Sequence, residues 1–158
     1  MIALETYTDA DFALIEALET DPEAMRHLGG PIDRERLATV HRRRLDEPWW
    51  FKVTAAGEAV GTIGVWKMEH GEETIHETGW MVLPAHQGRG IASAALAQLI
   101  ERVRAEPGIE RIHAFPPVDN APSNALCRKF GFELLGEEDF VYAGRTLRCN
   151  DWALDTRS

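Results

Sequence analysis

Around Pro84 the chain changes its periodicity once, and that change limits the folds open to it. Upstream, Trp49 to Thr54, Ala59 to Met68 and Thr74 to Leu83 are rich in aromatic and β-branched residues. Ala56-Gly57-Glu58 and Glu69-His70-Gly71-Glu72-Glu73 separate them, a pattern that predicts three antiparallel strands joined by hairpins. Downstream, Gly90 to Val103 places Leu96, Leu99, Ile100 and Val103 on one face of a helix. A strand stopped by proline and fed through Gln87-Gly88-Arg89-Gly90 into a helix leaves that helix's first N–H groups without backbone partners. Such an end carries the positive pole of the helix and suits a phosphate or diphosphate, and glycines let the ligand come close to the backbone.

The rest of the chain arranges itself around this junction. Thr8 to Leu18 opens with Thr8-Asp9-Ala10-Asp11, a capping-box variant, and puts Phe12, Ile15 and Leu18 at helical spacing. Asp21-Pro22 and Gly29-Gly30-Pro31 punctuate the next stretch, and Asp33 can cap a second helix with Leu37 and Val40 inward and His41-Arg42-Arg43-Arg44 at its basic end. After the helix ends at Glu106-Pro107-Gly108, Ile109 to Phe115 reads as a strand and Pro122 to Phe130 as a short helix stopped at Gly131. Phe132 to Leu135, Phe140 to Tyr142 and Arg145 to Leu154 complete the strands around an Ala143-Gly144 turn. No repeat or low-complexity linker divides residues 1–158, so the expectation is a single α+β domain.

Charge and cysteine content narrow the partners. With 17 Lys+Arg against 26 Asp+Glu the formal charge is −9, which argues against nucleic acid, whose phosphates need a positive field. Hydrophobic residues at 44% and charged residues at 27% place the chain among folded domains rather than disordered segments. Cys127 and Cys149 form no C-x-x-C pair, six histidines show no ligand spacing, and the expectation is no metal. A signal sequence or membrane span is not visible, and the reading is a cytoplasmic protein in a reducing compartment, with no membrane partner.

The glycine loop has a structural alternative, a tight turn, and a nucleotide alternative, the Rossmann fingerprint. The second fails because Gly88-x-Gly90-x-x-Ser93 lacks the third glycine and several strands precede it. Gln87-Gly88-Arg89-Gly90-Ile91-Ala92 resembles instead the [Arg/Gln]-x-x-Gly-x-[Gly/Ala] pyrophosphate loop of the GNAT superfamily of acyl-CoA-dependent N-acyltransferases. Asn120-x-x-Ser123-x-x-Leu126 followed by Lys129-Phe130-Gly131-Phe132 is similar to that superfamily's later motif. The resemblance spans Trp49 to Leu154 in element order, and within the superfamily it leans toward the branch of ribosomal-protein N-terminal acetyltransferases.

The resemblance implies a GNAT-like fold: one mixed, mostly antiparallel central sheet flanked by helices, with the cofactor cleft beside the third strand of the Trp49 to Leu83 meander. It implies acetyl-CoA as acyl donor. The main chain of Met81 and Val82 would pair with the pantetheine arm, Gln87, Gly88, Arg89, Gly90, Ile91 and Ala92 would hold the diphosphate, and Asn120 and Ser123 would lie near the cofactor. Asn120 also suits a helix cap. Where the family places a tyrosine that protonates the departing thiolate, this chain has Cys127, which puts the general acid in doubt and leaves an acyl-cysteine as a remote option.

Acyl transfer to an amine needs a base, because an ammonium cannot attack. Alternation places Glu77 on one face with Ile75, Gly79 and Met81, so Glu77 is the first candidate for general base. His113 is the second, and His76 falls on the opposite face. Acidic runs at Glu72-Glu73 and Glu137-Glu138-Asp139 would attract a cationic amine, either a small molecule or a protein N-terminus. The expectation is therefore an N-acetyltransferase with an amine acceptor, compatible with a homodimer. A non-catalytic CoA-binding sensor is the alternative that the missing tyrosine permits.

Overall fold

The computed structural model describes residues 1–157. Seven strands, β1 (Ile2–Thr6), β2 (Trp50–Ala55), β3 (Glu58–His70), β4 (Glu73–Val82), β5 (Arg111–Ala114), β6 (Glu133–Tyr142) and β7 (Arg145–Asp155), form a sheet of order β1-β2-β3-β4-β5-β7-β6. The helices are α1 (Phe12–Glu19), α2 (Arg34–Leu45), α3 (Ile91–Arg104) and α4 (Ala121–Lys129). β4 and β5 are parallel, whereas β1 with β2, β2 with β3, β5 with β7 and β6 with β7 are antiparallel, so the sheet is mixed and mostly antiparallel. Among the described residues no helix is long and apolar enough to cross a membrane.

Backbone contacts divide the chain into two compact units. The first holds Met1–Gly64 and Trp80–Leu96, and the second holds Val65–Gly79 and the stretch from Ala97 onward, so β3, β4 and α3 each contribute to both.

In the first unit, β1 pairs along β2 from Ile2 against Ala55 to Thr6 against Phe51. This strand lies where the sequence reading placed nothing. α1 is shorter than expected because Asp9–Asp11 winds as a tighter turn first, with Asp11 Oδ2 accepting from the Thr8 N–H at 2.8 Å. Asp33 caps α2 as expected, accepting from the Arg36 N–H at 2.9 Å. Buried Tyr7 hydrogen-bonds His41 Nδ1, and His41 Nε2 reaches Asp9 Oδ1 at 2.9 Å, which joins the end of β1 to α2. Leu14, Ile15, Leu18, Met25, Leu37, Val53, Val60 and Ile63 are among the buried apolar side chains of this unit's core.

In the second unit β6 is one strand of ten residues rather than two fragments, its ladder to β7 continuing through a register shift between Leu134 and Gly136. Leu99, Ile100, Val103, Ile112, Phe132 and Trp152 are buried. The side chain of Asn124 ties α4 to β7. Asn124, 7% exposed, donates to Pro117 O at 3.0 Å and Asn120 O at 2.8 Å and accepts from Asn150 Nδ2 and Trp152 Nε1, each at 2.8 Å. Replacing it with leucine takes the acceptor from Asn150 Nδ2 and from the buried Trp152 Nε1, whereas Pro117 O and Asn120 O keep the backbone N–H groups of Asn120 and Asn124. The Asn124→Leu protein is expected to lose about 3 kcal/mol and to melt roughly 6–12 °C lower, a shift that thermal denaturation followed by circular dichroism will read.

Candidate active site

The first unit builds a junction for an anion. β4 ends at Val82, Leu83 N–H donates to Val60 O at 2.8 Å, and a single tight turn, Pro84–His86, leads into the glycine loop. Gly88 and Gly90 both have φ of +76°, and an ideal Cβ on either meets nothing within 4 Å. Their role is therefore conformational: the left-handed backbone, not a crowded surrounding, calls for glycine at both positions. Gly90 O accepts the Ala94 N–H at 3.0 Å, the first bond of α3. Among the described residues no carbonyl or side chain takes the N–H groups of Gly88, Arg89, Gly90, Ile91 and Ala92. That row of donors at a helix start fits a diphosphate by its own chemistry.

Gln87 also braces the loop: its N–H donates to Pro84 O at 3.2 Å and its side-chain Nε2 to Val82 O at 3.0 Å, which ties the loop to the end of β4. Beside it, Gly61 on β3 packs so close under Met81 that a methyl there would run into the Met81 carbonyl oxygen. Met81 and Val82 thus belong to one braced strand end.

The second unit holds the expected proton-handling residues. β4 and β5 pair at Glu77 with His113 and at Thr78 with Ala114, which puts Glu77 and His113 side by side on one face. Glu77 is half-buried and its Oε1 accepts from Trp66 Nε1 at 3.2 Å. His113, 6% exposed, contacts Asp151 Oδ1 through Nδ1 at 2.8 Å and stacks on Phe115 at a centroid distance of 5.7 Å. His70 Nε2 bonds Glu138 Oε1 at 2.6 Å, and its ring lies 6.2 Å from that of His113. His76 is held neutral over a wider range than usual, because burial and then Lys67 lower its pKa.

Asn120 caps α4, its Oδ1 accepting from the Ser123 N–H at 3.2 Å, and Ser123 sits half-buried in the first turn. Cys127 needs a correction. It is 0% exposed, and burial pushes its thiol up to about 12. A thiol sealed in the interior meets no ligand, so it is neither a proton donor to a leaving group nor an acyl carrier. Cys149 is likewise buried, its thiol raised to about 11 first by burial and then by the charges of Glu77, Glu138, Asp139 and Asp119.

Asp151 and His70 were not singled out from the sequence, and Glu138 only as part of an acidic run. The signal for Asp151 was there: a carboxylate between Cys149 and Trp152, inside a strand, is a buried charge that requires a partner.

A mixed sheet of this order, with a glycine loop feeding α3 at the end of β4, suits an acyl-CoA-dependent transferase. A family model described as "Acetyltransferase (GNAT) domain" matches residues 2–133, and the chain belongs to that family. It is 26% identical over 144 residues, covering 85% of this chain and 81% of its relative, to the uncharacterized N-acetyltransferase YoaA of Bacillus subtilis. A solved structure of yncA from Salmonella typhimurium, described as a putative acetyltransferase with its cofactor acetyl-CoA, superposes with a TM-score of 0.71 at 25% identity, over 98% of this chain and 94% of that one. The ribosomal-protein-alanine N-acetyltransferase of Brucella melitensis superposes with a TM-score of 0.77 at 24% identity, over 97% and 99%. The chain is an acetyltransferase of this family.

Proposed function

We propose that the protein transfers an acetyl group from acetyl-CoA to a primary amine by direct attack in a ternary complex, and that the whole chain acts as one domain in this reaction. The observation that carries the reading is the row of unpartnered N–H groups from Gly88 to Ala92 at the start of α3. Bound acetyl-CoA supplies an acyl group activated as a thioester.

The chain supplies the rest. The loop N–H groups neutralise the diphosphate, and the main chain of Met81 and Val82 aligns the pantetheine as an added strand would. Asn120 and Ser123 are the further polar residues assigned to the cofactor. Glu77, oriented by the Trp66 N–H, takes the proton from the acceptor's ammonium so that the amine can attack. With Cys127 sealed away, the departing thiolate takes its proton from water. The buried, protonated cysteines suit a reducing cytoplasm.

The acceptor class includes protein N-termini, as the name of the Brucella neighbour suggests, and small-molecule amines. Release of free thiol from acetyl-CoA, measured across a panel of a peptide beginning with alanine, monoamines, diamines and amino acids, tests the reading. Turnover at or above about 1 per second for at least one amine is expected. Acetyl-CoA binding with no turnover for any amine would replace catalysis by a sensor role.

A further inference from the structure

Gly79 stands inside β4 with no backbone reason to be glycine. Its φ lies outside the positive range that Gly88 and Gly90 occupy, and a glycine within a strand weakens it. Space accounts for it. A Cβ on Gly79 would stand 3.0 Å from Trp66 Cη2, 3.8 Å from Cζ2 and 3.9 Å from Cζ3, the first of these well inside the roughly 3.5–4.0 Å at which carbons touch. Seated on that bare backbone, the same indole donates from Nε1 to Glu77 Oε1 at 3.2 Å. Glu77 and Gly79 are two residues apart on one face of β4, so a single ring from β3 spans both. All three residues are half-buried and belong to the second unit.

We propose that Gly79 and Trp66 are positioning residues for acetyl transfer: the missing side chain of Gly79 is the socket that seats the indole, and the seated indole aims the Glu77 carboxylate at the acceptor's ammonium. The inference rests on the acetyl transfer, with Glu77 as base, proposed above. One proton moves and no electron. The ammonium N–H breaks as the Glu77 carboxylate gains O–H, and Trp66 keeps its own hydrogen throughout.

An indole suits this task. Its N–H only donates and is uncharged throughout the working pH range, so it holds an ionised carboxylate by a hydrogen bond without supplying a proton and without changing as its neighbours titrate. Those neighbours do titrate. His113 of β5 is paired with Glu77 in register and tied to Asp151 of β7, and His70 of β3 lies beside His113 and bonds Glu138 of β6. Cys149 of β7 is a thiol kept protonated by burial and then by the charges of Glu77, Glu138, Asp139 and Asp119. A ring laid over a bare glycine is also a packing device in sheets. The packing role and the positioning role part at the N–H.

Trp66→Phe separates them, because phenylalanine keeps a ring over Gly79 and loses the donor. Expected is a fall in kcat of about tenfold at pH 7, with the KM for acetyl-CoA unchanged. The deficit should shrink near pH 10, where a primary amine is already neutral and needs no base. In a Glu77→Gln background Trp66→Phe should cost nothing further, since no base remains to aim. Gly79→Ala, which strand backbone accepts, crowds the indole and stretches a bond already at the long end of the normal range. It should lower kcat about threefold at pH 7, again with recovery near pH 10, which keeps the test open if Trp66→Phe folds poorly. Wild-type kcat in either variant, a deficit of equal size at every pH, or losses from Trp66→Phe and Glu77→Gln that multiply would each overturn the positioning role while leaving the acetyl transfer standing. A wild type that acetylates no amine would overturn both.

Discussion

Gly90→Val abolishes acetyl-CoA binding in isothermal titration, with affinity falling at least about 100-fold, while the protein still folds. The argument is local. At φ of +76° a β-branched residue is strained, by on the order of 1–3 kcal/mol, and relaxing φ turns the N–H groups of Gly90 and Ile91 away from their common direction. Those groups bind only as a set, since a diphosphate is held by several N–H donors converging on it. Nothing stands within 4 Å of a Cβ at Gly90, so the fold has no packing reason to collapse. Gly57→Val supplies the control. Gly57 has φ of +83° in the turn between β2 and β3 and equally open surroundings, so it carries the same backbone strain and should leave acetyl-CoA affinity unchanged. Equal losses in both variants would mean that general destabilisation, not the loop, accounts for the effect.

Glu77→Gln lowers kcat/KM about 100-fold at pH 7 and much less at pH 10. A glutamine keeps the size of the side chain and can still accept the Trp66 N–H, so the positioning contact survives while the base is removed. The sign of the pH effect follows from the acceptor. Near neutrality a primary amine is almost wholly ammonium and waits on a base. Above its own pKa of about 10 it is neutral and needs none. A pH–rate profile of both proteins with one amine, at saturating acetyl-CoA, gives the ratio directly. If the ratio holds constant from pH 7 to pH 10, Glu77 has a structural role and the base lies elsewhere.

The element order was legible because its punctuation is chemical. Pro84, Gly88 and Gly90, Pro107-Gly108 and Gly131 lie at or next to the boundaries the structure shows, and Asp33 and Asn120 cap the helices their positions predicted. β1 escaped because Ile2–Thr6 has one buried side chain, Leu4, and owes its strand form to its pairing with β2, a contact some fifty positions away along the chain. β6 was read as two pieces because Gly136-Glu137-Glu138-Asp139 looks like a polar break. The long ladder to β7, not its own composition, keeps it extended.

At the candidate site, local signals pointed to the loop and Glu77. What Gln87 does was hidden, since its tie to Val82 depends on how the loop turns back on the strand. Asp151, His70 and Glu138 are far apart in sequence and come together only through the strand order, in which β7 lies between β5 and β6. The departure at Cys127 was visible as a residue identity, yet its burial on the inner side of α4 was not.

The burial of both thiols has a practical bearing on measurement. Cys127 and Cys149 are shut off from solvent and hold their protons to about 12 and about 11, so they react slowly with the disulfide reagents that detect coenzyme A as it is released. The enzyme is optically silent in that assay, and even high protein concentrations, the condition needed to catch a poor acceptor, add little background to the signal.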